Sequence, residues 1–305
     1  MEEEIRNSKP LEVFEYPIQA SNIIWEVDSS NLAESMTKII NLIKDKKIPV
    51  QMALYLIDCT SVLKRKLIAE YTEFYEKISK KFSIMIRPFN FKMAILLYYR
   101  GLKFDKFSPE VDTKYYETVD PQSKQEEILN IYSKDSPLYY IAWDKIDELK
   151  AKFPDIDINE QINREVTPLE CAIQYGSELC FNYFRNLGAQ YTKKCARCAI
   201  KGGNKNIIMQ LIEDGQIFDY LIEDAFDYRN YELAEYLNTN FKQNESQIAE
   251  IMYFGNYEVV SYLLSQNADL KGAKFDILFL FIFIVVLKNS LSFNIFHCFI
   301  LFSFF

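Results

Sequence analysis

The stretch Thr167-Pro168-Leu169-Glu170-Cys171-Ala172-Ile173-Gln174-Tyr175-Gly176 decides how this chain is read, because Cys195-Ala196-Arg197-Cys198-Ala199-Ile200-Lys201-Gly202-Gly203 repeats its message. In both, Cys-Ala-Ile stands shortly before a glycine and an apolar cluster follows. The first cluster is Cys180, Phe181 and Phe184; the second is Ile207, Ile208 and Leu211. Each ends at a further glycine, Gly188 or Gly215. This is a short helix, a turn, a second helix and a glycine cap, written twice at a spacing of roughly 27 residues. One such pair cannot bury its own apolar face, so recurrence implies a stacked solenoid.

The reading extends both ways. Downstream, Ala225 precedes Arg229 and then Leu233, Ala234 and Leu237, while Gly255 is followed by Val259, Val260, Leu263 and Leu264. Upstream, Ser136-Pro137-Leu138 echoes Thr167-Pro168-Leu169, with Ile146, Leu149 and Phe153 behind it. Ser and Thr hydroxyls accept from the orphan N–H groups at a helix start, and proline loses nothing at the first helical position. About five helix pairs can be laid out from Asp135 to about Lys271.

These residues carry a resemblance. Thr167-Pro168-Leu169 with Ala172 and Gly176, then Leu187-Gly188-Ala189, resembles the ankyrin repeat. Gly255-Asn256-Tyr257-Glu258-Val259-Val260-Ser261-Tyr262-Leu263-Leu264, running on to Ala268-Asp269, resembles it more specifically. To about residue 272 the chain is similar to a protist expansion of that family, in which an uncharacterised helical N-terminal domain precedes degenerate repeats. Two departures stand out. Glu170 replaces the family's usual histidine, and the middle repeats are short, so their β-hairpin fingers are expected to be reduced or absent. The resemblance implies a scaffold that binds an unspecified protein partner.

The expected binding surface is the concave side, lined by exposed positions of the inner helices. By register these are Glu170 and Gln174, Arg197 and Lys201, Glu223 and Asp227, with Tyr253 in the last pair. Their alternating sign suits a partner of complementary mixed charge.

Composition narrows the other classes. Asp and Glu number 43 against 35 Lys and Arg, a net charge of −8, which gains nothing from a phosphate backbone. Lys64-Arg65-Lys66 and Lys193-Lys194 are the best basic runs, and both read as solvated helix faces. The single histidine, His297, leaves almost no room for nucleophilic triads or a histidine base, so no catalysis and no cofactor are expected. Cys195 and Cys198 have the spacing of a zinc or redox pair, but Cys198 falls in register with Cys171, so both read as compact apolar fillers of a small slot and no metal site is expected. Asp155-x-Asp157-x-Asn159 opens like a calcium loop and then lacks the glycine and the bidentate carboxylate. Met1-Glu2-Glu3-Glu4 has the wrong charge for a signal peptide, so a cytoplasmic location is expected.

Residues 1–132 read as helices without a repeat. Asn31 with Glu34 caps one, Pro49 opens a second, a third runs from Ser61 to about Lys80, and Pro88 and Pro121 precede two more. We expect this domain to cover the N-terminal face of the solenoid, which would otherwise expose an apolar end. The last segment, residues 273–305, breaks the pattern with Phe275 to Leu287 and a second apolar run to Phe305. It reads either as a membrane anchor, making the protein a tethered adaptor, or as the end of a truncated or mis-framed repeat gene; loss of the pattern in mid-unit favours the second. The expectation is thus an all-α protein: a helical N-terminal domain (1–132), an ankyrin-like helix-pair solenoid (133–272) and a hydrophobic tail.

Overall fold

The computed structural model describes residues 2–109, 121–162, 166–243 and 248–266. Over these the chain is all-α, and one bridge between Ile162 and Val166 is the only β pairing among them. The apolar segment 273–305 lies outside the described residues; no helix among those described is long and apolar enough to cross a membrane.

The N-terminal part comprises α1 (Glu2–Asn7), α2 (Glu15–Trp25), α3 (Leu32–Lys44), α4 (Val50–Leu63), α5 (Ile68–Phe82), α6 (Phe91–Tyr99) and α7 (Pro121–Leu129). The stripes expected from periodicity are buried: Met36, Ile39 and Ile43 on α3, and Tyr71, Phe74 and Ile78 on α5. Two details differ from expectation. The helix anticipated from Ser61 to Lys80 is broken at Lys64 (φ −96°, ψ 61°), and a 3-10 turn, Arg65–Leu67, joins α4 to α5. Asn31 makes no capping bond. Its amide instead donates to the Glu26 carbonyl (2.8 Å), while Asp28 accepts from the backbone of Ser30 and Asn31 in a closed turn before α3.

Five helix pairs follow among the described residues: α8 (Pro137–Ala142) with α9 (Ile146–Lys152), α10 (Pro168–Gln174) with α11 (Glu178–Asn186), α12 (Cys195–Gly202) with α13 (Lys205–Glu213), α14 (Ile222–Asp227) with α15 (Tyr231–Asn240), and α16 (Ile248–Tyr253) with α17 (Tyr257–Ser265). The first helix of each pair packs on the first helix of the next. These first helices are six to eight residues long, too short to persist alone in water. They hold because Leu138, Ile141, Leu169, Ala172, Ile173, Ala199, Ile200, Phe226 and Ile251 are buried between neighbours. Burying one such large apolar side chain contributes about 1.5–3 kcal/mol.

Each first helix ends in one left-handed residue: Asp144, Gly176, Gly203, Arg229 and Gly255, with φ from 52° to 74°. The side chain that follows often reaches back one pair. Ser177 donates to the Ala142 carbonyl (3.2 Å), Asn204 to that of Gly176 (3.2 Å), and Asn256 to that of Phe226 (2.7 Å). Asp144 caps the next pair outright, its carboxylate accepting from the N–H groups of Leu179 and Cys180 at 3.1 and 2.9 Å. Every pair from the second onward except the fourth is thus tied to its predecessor at the turn by a polar side chain with a buried or half-buried partner.

Glycine is obligatory at one of these turns for a reason other than φ. A Cβ on Gly202 would sit 2.2 Å from the Ile173 carbonyl oxygen, and one on Gly176 would sit 2.8 Å from the Gly202 carbonyl oxygen. Backbone meets backbone there, and no side chain can yield.

The N-terminal helices do not cover the end of the first pair alone, as expected; they lie along the row of turns. Near the first pair, Trp143 donates to the Asn130 carbonyl (3.0 Å), and the Tyr132 ring meets Tyr175 edge-on at 5.9 Å. Near the last pair, α1 and α2 pack on α17, a Cβ on Gly255 would lie 2.4 Å from Leu56, and Tyr55 donates to the Tyr253 carbonyl (2.7 Å). The cause is visible in register. Immediately before the left-handed residues stand Trp143, Tyr175, Gly202, Tyr228 and Phe254. Four of the five are aromatic, so the turns form an apolar ridge that a second layer of helices can cover.

Candidate binding surface and the cleft beside it

The seven residues expected on one open face divide into three groups. Glu170 is a correction: it is only 1% exposed. It is the third residue of α10, and it closes a capping box in which Thr167 accepts from its N–H (3.2 Å) and it accepts from that of Thr167 (3.1 Å). The Thr192 hydroxyl donates to its other oxygen from the following loop. Reciprocal capping and a loop laid over the carboxylate take it out of solvent. Tyr253 is exposed, as its register implies, and it also belongs to the joint between the two halves. Its ring meets Tyr55 at 6.4 Å and Phe89 at 6.1 Å, and its carbonyl accepts from Tyr55.

The remaining five lie on or beside the first helices of the middle pairs. Arg197 is exposed and its Nε lies 3.2 Å from Asp224 Oδ2 on the next first helix. Glu223 and Asp227 flank that carboxylate on α14 and are half-exposed. Burial pushes the Asp224 carboxyl above its ordinary range, while Arg197 and Lys201 pull it back. Asp224 was missed by the sequence reading, yet a signal was present. It occupies the register position of Cys171 and Cys198, so a charged residue stands in a slot filled elsewhere by a compact apolar one.

Gln174 and Lys201 face the N-terminal half across a cleft of about 300 Å³. Its walls are Tyr175, Lys201, Gly202 and Tyr228 from the turns, and Trp25, Leu63, Lys64, Arg65, Lys66 and Leu67 from the helices laid over them. The cleft exists because Gly202 stands where the neighbouring turns carry aromatic rings. In the basic run Arg65 and Lys66 are exposed, as expected, while Lys64 is half-buried, and the run lies at a 3-10 turn that lines the cleft. Lys64 donates to the Trp25 carbonyl at the end of α2, with its ammonium 4.7 Å from the indole ring. Lys66 donates to the Tyr175 carbonyl at the end of α10 (3.1 Å) and lies 5.6 Å from the Trp143 ring. A cation on a helix C-terminal carbonyl meets both an orphan acceptor and the negative end of the dipole. Burial lowers the proton affinity of both lysines, and the nearby Arg229 lowers that of Lys64 further. Lys193 and Lys194, the other basic run, are exposed.

The chain matches no family model, no curated protein and no solved structure. What the site can do must therefore be read from its own chemistry. The α12–α14 face offers mixed charges held by short helices at fixed spacing, which suits recognition of a folded surface. The cleft offers cations and ring faces in a concavity. Cys171 and Cys198 are buried, and burial pushes the Cys198 thiol up to about 12, far from a reactive thiolate.

Proposed function

We propose that the protein is a non-catalytic interaction module: an ankyrin-like solenoid of degenerate helix pairs, braced along its turns by the N-terminal domain, that binds a protein partner through its inner-helix face. The supporting observation is the succession of first helices, each packed on the next, which sets Arg197, Lys201, Glu223, Asp224 and Asp227 side by side on rigid elements. Side chains held by packed helices lose little further freedom on binding, which favours recognition. A surface of alternating sign selects among partners more by excluding mismatched charge than by raw affinity.

The test is affinity capture from native-cell lysate with the full chain and with a version carrying Arg197→Glu, Lys201→Glu, Glu223→Lys and Asp227→Lys together. Loss of a defined partner set, with the helical circular dichroism unchanged, supports the reading. An unchanged set overturns it.

A further inference from the structure

We infer that the cleft between the basic turn and the middle helix pairs is a binding site for a small phosphate ester. In this arrangement Arg65 and Lys201 hold the phosphate at the rim beside Lys66, Lys64 supplies positive charge behind it, and the organic part lies against Trp25, Tyr175 and Tyr228.

Charge is the first support. The chain as a whole carries −8, yet four cationic side chains converge on a single concavity. A concave, partly apolar wall concentrates such a field and so raises the local concentration of an anion. Carboxylates stand near three of these cations, Glu26 and Asp28 by Lys64, Asp144 by Lys66 and Asp224 by Lys201, and of these Asp28 accepts from Ser30 and Asn31. Asp144 accepts two backbone N–H groups, and Asp224 is held by Arg197.

Construction is the second support. Lys64 and Lys66 are fixed in place by helix-end carbonyls, so the positive wall is organised before any ligand arrives. Arg65 and Lys201 are exposed at the rim, where guanidinium and ammonium groups can close on phosphate oxygens. Size is the third. A volume of about 300 Å³ lies at the lower bound for small-molecule sites and suits a compact ligand. Gly202 lines that volume and contributes no side chain to it.

The test uses the full chain, with inorganic pyrophosphate and adenosine 5′-diphosphate as probes, titrated calorimetrically at low and high salt. Saturable binding that weakens with salt is expected, tighter for the probe that carries a ring. Arg65→Glu with Lys201→Glu should weaken it by about tenfold or more, as expected for loss of charge-assisted hydrogen bonds. Lys193→Glu with Lys194→Glu, the same change of charge elsewhere, should leave it unaltered. Absence of saturable binding by either probe overturns the inference. So does equal weakening by the two double variants, or binding of the diphosphate no tighter than that of pyrophosphate. Lys201 is shared with the partner-binding face, but both probes are read without any protein partner, so failure here leaves that reading standing.

Discussion

The guanidinium of Arg229 lies 4.8 Å from the centre of the Trp25 ring, and this contact fastens the fourth helix pair to the N-terminal half. Arg229 also donates to Asn22 Oδ1 (2.6 Å), to the Ser21 hydroxyl and to the Gly255 carbonyl (3.3 Å). It does so from a left-handed backbone (φ 52°), at the position where three other pairs carry glycine. The chain accepts strain at a turn in exchange for an anchor.

Replacing Arg229 tests that exchange. Arg229→Ala removes the ring contact and hydrogen bonds while keeping the strained backbone, and should cost about 2 kcal/mol or more. Arg229→Gly removes the same contacts and relieves roughly 1 kcal/mol of strain, so it should be the milder change. Urea unfolding midpoints give both numbers. Equal stability of wild type and Arg229→Ala would rule out the anchoring role.

Gly202 and Gly203 should respond differently although they are adjacent. At Gly202 a methyl group meets the Ile173 carbonyl at 2.2 Å, so Gly202→Ala must move backbone and should cost about 2–4 kcal/mol. At Gly203 the space is open and only the positive φ of 64° matters, so Gly203→Ala should cost about 1 kcal/mol. Thermal denaturation of the two variants decides whether backbone approach or conformation dominates at this turn.

Asp58 should set a pH dependence of stability. It sits in α4, 4% exposed, and accepts from the N–H groups of Phe89 (2.7 Å) and Asn90 (3.0 Å). Burial pushes its carboxyl up to about 7, against those two bonds. The folded state therefore holds its proton more tightly than the unfolded state. Its contribution to stability should fall as pH rises from the ordinary carboxylate range through about 7, and be constant above that. Asp58→Asn, which keeps one acceptor, should flatten that slope. Unfolding midpoints of both proteins at pH 5 and pH 8 provide the comparison, and identical slopes would contradict the assignment.

Asp214 should act with the opposite sign. It accepts from Arg185 Nε and Nη2 (2.8 and 2.9 Å) and from the Tyr191 hydroxyl (2.6 Å), tying α11 to the end of α13. These bonds, Arg185 first, hold its carboxyl down at about 2, so its contribution is full above the ordinary carboxylate range and is lost as pH falls through about 2. The pair is partly solvated, so Asp214→Asn should cost no more than about 1 kcal/mol at neutral pH. A double-mutant cycle with Arg185→Ala measures it.

The helix pairs were legible because Thr-Pro starts, apolar spacing and glycine stops act within one pair and are written locally. The docking of the N-terminal helices was not. An amphipathic stripe records that a face is buried and leaves its partner unspecified. The ridge of Trp143, Tyr175, Tyr228 and Phe254 was nonetheless written in register. Glu170 was misplaced because register predicts direction, while its Thr167-x-x-Glu170 box spends the carboxylate on the helix start. The acceptors of Lys64 and Lys66 are carbonyls at helix ends far from them in sequence, which no local pattern reveals.

The contacts made by the first helix carry a consequence for how the molecule is assembled. Leu11 N–H donates to the Ser261 hydroxyl at 2.9 Å, and Tyr262 donates to Glu4 at 3.0 Å. Leu11 thus finds its seat on a residue made 250 positions later. Each helix pair can settle on its predecessor as it emerges, and α2 on α3 and α4, whereas α1, with Ile5, must wait for α15 and α17. Seating of α1 therefore comes after the helices it rests on have been made, and until then its apolar face has no cover.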